Sequence, residues 1–194
     1  GFAFHLSGHS TDAQREYRIA IEYDEKEWLA HRLLGALVAR EGNFQRATGL
    51  LRRAIGLKPT HIATYDHLYN VLRRLDRYEE AIEIADQGIA AAKKHLQAQP
   101  DDQEARVHLA MLLARMTQNE EAKRFVSEAL AMSPKDGYVG FHCALVYAYI
   151  GEIDQALSEL TRARDRGYYI GSELRNNTDL DALRGIAAFQ ELVR

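Results

Sequence analysis

Histidine is the residue type here whose spacing could do chemistry. His67, His108 and His142 stand 41 and 34 residues apart. An imidazole can bind a metal, move a proton, or both donate and accept a hydrogen bond. A shared metal would need all three nitrogens about 2.1 Å from one centre. Equivalent residues on adjacent packed helix pairs lie on the order of 10 Å apart, so the spacing argues against a metal. Cys143 is the single cysteine, which rules out an internal disulfide and a cysteine-rich metal site. It falls at an inward-facing helical position and reads as a buried structural thiol. The acidic run EYDEKE at 22–27 reads as a solvated helix end. The sequence carries no glycine-rich phosphate loop, nucleophile elbow or His-Glu-x-x-His. The expectation is a non-catalytic chain with no cofactor and no metal.

Composition narrows the class. The chain has 194 residues, 46% hydrophobic and 27% charged, which are globular values. The net charge is −3, so wholesale nucleic-acid binding is not expected. No apolar run reaches the roughly 18–20 residues that span a bilayer, and membrane insertion is not expected. Residue 1 is Gly, and Gly1 to Leu6 show neither a basic nor an apolar signal region. The expectation is a piece of a longer, cytoplasmic protein.

The elements that carry these residues repeat. Ala13, Ala47, Ala81, Ala122 and Ala156 are spaced 34, 34, 41 and 34. The set Ala20, Ala54, Gly88, Ala129, Ala163 and the set Gly8, Gly42, Asp76, Thr117, Gly151 keep the same intervals. Pro59, Pro100 and Pro134 share one phase. Small residues seven apart allow a second helix close approach. Gly or Asp marks the turn after one helix, and Pro stops the next. Between the marks, residues such as Leu33, Leu34, Leu37 and Val38 keep the helical period. Each unit therefore reads helix, turn, helix, turn, and such units must stack to bury their apolar faces.

The period and these positions resemble the tetratricopeptide repeat. The unit at 28–61 carries Leu34, Gly35, Gly42, Phe44, Ala47, Leu51, Ala54 and Pro59 at the family positions. The resemblance implies an all-α, right-handed superhelical solenoid of stacked antiparallel helix pairs. It divides the chain into a partial repeat at 1–27, repeats at 28–61, 62–102, 103–136 and 137–167, and a capping segment at 168–194. The departures are Tyr69 for a small residue, Asp76 and Thr117 for the turn glycine, and no Pro after the last repeat. Repeat 62–102 holds seven extra residues between Gly88 and Pro100, with no helix breaker among them. Its second helix is expected over about Tyr78–Ala98, with a stripe of Ile82, Ala85, Ile89, Ala92 and Leu96. In the tail, Thr178 with Asp181 reads as a capping box. Asp179, Leu180, Asp181, Leu183, Arg184, Phe189, Gln190 and Leu192 are similar to an ending found after such arrays in bacterial multidomain proteins. That ending implies capping helices.

The resemblance also implies where partners bind. The family's concave groove would be lined by Arg32 and Arg40, then by Asp66, Asn70, Arg73 and Arg74. Val107, Met111 and Arg115 would follow, then Tyr138, Phe141, Leu145 and Tyr149. The implied function is a protein-interaction scaffold that holds a peptide or partner protein, acidic with an apolar anchor. Arginine pairs bidentately with carboxylates, and Tyr and Phe are typical anchors. In related arrays a polar residue at the position of His67, His108 and His142 grips a peptide backbone, so the histidines could form such a ladder or simply fill contacts between repeats. The clamp for acidic chaperone tails would fall on Arg32, Ala36, His67, Glu104 and His108, and only Arg32 fits it by charge. Three alternatives stay open: the capping segment could fold back over Tyr138 and Phe141 as an internal ligand, the chain could be a regulatory or spacer domain of a larger signalling protein, or it could self-associate through the long helix near Leu96.

Overall fold

The computed structural model describes residues 10–168, 174–175 and 177–193. All regular structure among them is helical. The helices are α1 Ser10–Tyr23, α2 Trp28–Arg40, α3 Phe44–Leu57, α4 Ile62–Arg74 and α5 Tyr78–Ala98. They continue as α6 Gln103–Arg115, α7 Asn119–Met132, α8 Gly137–Tyr149 and α9 Ile153–Asp165. A 3-10 helix at Thr178–Leu183 and α10 Ala187–Val193 close the chain. The turn expected at Gly8 lies outside the described residues.

One local device ends α2, α4, α6, α8 and α9. After α2, Gly42 sits at φ 83°, its N–H donates to Ala39 O, and the Asn43 N–H donates to Val38 O. This crossed pair satisfies carbonyls that a helix end leaves open. It recurs at Asp76, Thr117, Gly151 and Gly167, all at positive φ. Starts are capped as well: the side chains of Asn43, Asp102 and Asp136 accept backbone N–H groups of the first turn. Each proline falls two residues past its helix, after Leu57, Ala98 and Met132.

The small residues do what their spacing requires. Ala13, Ala47, Ala81, Ala122 and Ala156 are fully buried. A larger side chain at any of them would push two helices apart in a close-packed interior.

α5 runs unbroken from Tyr78 to Ala98, so the seven extra residues are helix and not loop. Its buried face holds Ala81, Ile84, Ala85, Ile89, Ala92 and Leu96. Ile82, expected on that face, points outward and is 48% exposed. Ala81 takes the inward place because the stripe drifts around the helix, as 3.6 residues per turn demand. The tail also departs from expectation. Its first turn is a 3-10 helix capped by Asn177, whose side chain accepts the Asp179 N–H at 2.9 Å. Asn177 precedes Thr178 and reaches the orphan N–H in an Asx turn, which leaves the expected capping box no role.

The chain forms two compact units, Gly1–Ala91 and Ala92–Arg194. In the first, Leu33, Leu34, Leu37, Leu51, Leu68 and Leu72 build the core. In the second, Leu109, Leu112, Leu113, Val126, Val146 and Leu160 do so. There the added turns of α5 are tied down by Lys93 on Glu121 at 3.0 Å and by His95 on Asp102 at 2.8 Å. Leu96 is buried beside Arg106 and Phe125, next to a shallow cleft of about 350 Å³.

Candidate functional site

In the unit 92–194, α6 and α8 place the expected groove residues at helical spacing. Val107, Met111, Phe141 and Leu145 are buried, Tyr138 is half-buried and Tyr149 is exposed. The chain's own C-terminal residues lie against this face. The Tyr168 ring stands 5.5 Å from Phe141 and 6.1 Å from Tyr138. Gly137 admits it, because a Cβ there would come within 2.6 Å of Tyr168 Cβ. The 3-10 helix packs on α8, with Leu180 and Leu183 fully buried.

Arg115 anchors this contact. Its two terminal nitrogens donate to the two Asp179 carboxylate oxygens at 3.1 and 3.0 Å. Both side chains are largely withdrawn from water, at 2% and 12% exposure. The guanidinium also lies 5.1 Å over the Tyr149 ring. A fork-on-fork pair of this kind fixes direction as well as charge. Asp179 belongs to the tail pattern read in the sequence, but nothing local to it points to Arg115.

His108 and His142 meet in the same unit. Their rings are 5.0 Å apart, edge to face, and the His142 ring lies 4.0 Å from Tyr138. His108 Nε2 is 3.1 Å from the Tyr138 hydroxyl, and His142 Nδ1 is 3.0 Å from the Tyr138 carbonyl oxygen. The two imidazoles therefore make a packed aromatic cluster with Tyr138. His67 lies half-buried on α4 of the other unit. Among the described residues no three His, Cys, Asp or Glu side chains converge to hold a metal.

The first unit carries its own part of the expected set. Arg32 is half-buried and Arg40 exposed on α2, while α4 holds buried Asp66, half-buried Asn70 and exposed Arg73 and Arg74. The Arg73 guanidinium lies 4.9 Å over Tyr78, and that of Arg74 lies 5.3 Å over Phe44. Such stacking positions a cation without removing it from solvent. Burial pushes the Tyr17 hydroxyl above its ordinary range, and the nearby Arg32 and Arg40 cations offset part of that shift. Cys143 is buried, and burial, with Glu159 adding repulsion, pushes its thiol far up and keeps it neutral. It has none of the marks of a reactive thiolate.

Paired helices of a shared length, common stops, small residues at the crossings and a residue-lined face define a helix-pair repeat protein. Residues 7–62 and 103–136 each match a tetratricopeptide repeat model. Over these segments the chain is built of tetratricopeptide repeats. It is 26% identical over 142 residues to the tetratricopeptide repeat-containing protein trd-1 of Caenorhabditis elegans. That match covers 73% of this chain and spans 18% of the relative's length. Among solved structures, TTC0263, a thermophilic TPR protein of Thermus thermophilus, aligns with a TM-score of 0.67 at 17% identity. The alignment covers 98% of this chain and 95% of that one. PilW, described as a type IV pilus biogenesis factor, aligns at 0.56 and 18% identity, over 98% and 86% of the two chains. These likenesses show the all-α tetratricopeptide fold. Repeats of this family generally serve as non-catalytic scaffolds for protein–protein interaction. No helix among the described residues is long and apolar enough to cross a membrane.

Proposed function

We propose that the chain holds a segment of a partner protein, acidic with an apolar anchor, against the first-helix faces of its repeats. The observation that carries this reading is the Arg115–Asp179 pair, in which that face already takes a carboxylate bidentately, with leucines beside it. In the first unit Arg73 and Arg74 are exposed and held by aromatic rings, so they would take the acidic side chains. Arg32, Arg40, Asp66 and Asn70 would complete that surface. In the second unit, Phe141, Leu145 and Tyr149, with Val107, Met111 and Tyr138 around them, would take an apolar anchor once the chain's own 3-10 helix leaves that face. His67 would grip a ligand backbone, whereas the contacts of His108 and His142 favour their role as packing residues.

The test is isothermal titration of a synthetic peptide of glutamates flanking one phenylalanine, compared with its all-glutamine counterpart. Wild type should bind the acidic peptide and not the neutral one. Arg73→Glu with Arg74→Glu should abolish binding while the helical circular dichroism persists. Equal affinity in the double variant would overturn the reading. A second reading rests on the short span of the curated relative that the chain matches. There the repeats would be a regulatory or spacer domain within a longer protein. Self-association through α5 is the remaining alternative; Leu96 is buried within the chain, so light scattering of wild type over a concentration series is what distinguishes it.

A further inference from the structure

We infer that the face of α6 and α8 is a binding site for a partner segment carrying aspartate followed by leucine at the next and fourth-next positions. We infer also that the chain's own residues 174–193 occupy this site as a displaceable competitor. The inference rests on the groove reading above and adds the ligand pattern and its regulation. The pattern is read from the resident segment. Asp179 meets Arg115 bidentately, and Leu180 and Leu183, one and four residues on, are fully buried.

Three observations separate this contact from a permanent lid. First, the arginine has a second partner besides Asp179, because its guanidinium stacks on Tyr149 of α8 in the next repeat. Second, an ion pair with little exposure gives direction more than stability, and an apolar residue would close a solenoid end as well. Third, the segment holds its own shape. Arg184 donates to Asp181 at 2.7 Å and to the carbonyl oxygens of Arg175 and Asn177 at 3.0 and 3.1 Å. Gln190 donates to the Arg184 carbonyl oxygen at 3.2 Å. The segment is thus a small preorganised piece that meets α8 through a six-residue 3-10 turn, a weak element by its hydrogen-bond geometry, and α9 through α10, where Phe189 is buried. A partner with the same pattern would engage Arg115 by displacing it.

The probe is a fluorescein-labelled peptide of residues 174–193, titrated against the full chain by polarisation. A site filled in cis weakens apparent affinity by the fraction of time it stands open. Asp179→Asn should therefore tighten binding by roughly tenfold or more. Adding Arg115→Gln should remove that gain, and a peptide with Asn in place of its aspartate should fail to bind. No gain in Asp179→Asn would overturn the proposal. So would a gain accompanied by dimerisation in light scattering, since the occupant would then be a second copy. Should Asp179→Asn lose its fold, hydrogen exchange on wild type decides. The Leu180, Arg184 and Ile186 amides should exchange at least about tenfold faster than those of the α8 interior. Equal protection would overturn the proposal. Charge reversal at Arg73 and Arg74 leaves this site intact, so failure of the general groove reading and failure of this one are told apart.

Discussion

Thr117 is held at φ 58°, where a β-branched side chain crowds its own backbone. The conformation persists because the Thr117 and Gln118 N–H groups close the end of α6 on Ala114 and Leu113 at 2.9 Å. Glycine would keep both bonds and remove the strain. Thr117→Gly should stabilise the protein by about 1 kcal/mol, read as a rise of a few degrees in a thermal melt. Asp76 holds the same conformation at less cost, because its short polar side chain tolerates it. A second residue-scale prediction concerns Cys143. Its folded-state pKa is raised, so its contribution to stability is fully present below the ordinary thiol value of 9.0 and is lost as pH rises above it. The urea midpoint should fall between pH 8 and about 10, and Cys143→Ala should flatten the first part of that fall. The hydroxyls of buried Tyr17 and Tyr65 and of half-buried Tyr147 are shifted in the same direction and extend the decline at higher pH.

At the scale of elements, α5 is the departure from the repeat that matters. Two extra turns would be a liability if they projected into water. Instead Leu96 is buried, and Lys93 and His95 tie the turns to Glu121 and Asp102. Leu96→Ala should cost about 2–4 kcal/mol in chemical denaturation through the cavity it leaves. Its helical content should be unchanged. The length of α5 was legible because nothing between Gly88 and Pro100 can break a helix. The rotation of its face was less so. Ile82 and Ala81 are neighbours, and an apolar count favours the isoleucine, whereas the buried place goes to the small Ala81. The cap of the tail failed for a similar reason: Asn177 and Thr178 are both good capping residues, and the path of the chain into the turn selects the first.

For the whole molecule, stability in a repeat array is a sum over neighbouring contacts, and an uncapped end leaves an apolar face in water. A chain ended after Gly167 loses what covers Phe141, Leu145 and the α8 face. It should keep its helical signal, melt at lower temperature, and bind an apolar dye such as ANS that the intact chain does not. Full unfolding of the shortened chain would instead mean that residues 174–193 are a structural part of the second unit.

The features that residues within one turn of each other control were readable from the chain alone. Positive-φ stops, the 34-residue period and the length of α5 all follow from local backbone geometry and from small residues at fixed spacing. That the tail lies over Tyr138 and Phe141 was one of the alternatives the sequence left open, but the ion pair that fastens it was not readable. Arg115 and Asp179 are 64 residues apart; the first reads as a groove cation for a partner's carboxylate and the second as part of the tail pattern, and neither points to the other. Their pairing depends on α6, α8 and the tail being packed first, because only then is Arg115 withdrawn from water with Asp179 in reach. The same packing turned two of the three spaced histidines into partners of Tyr138.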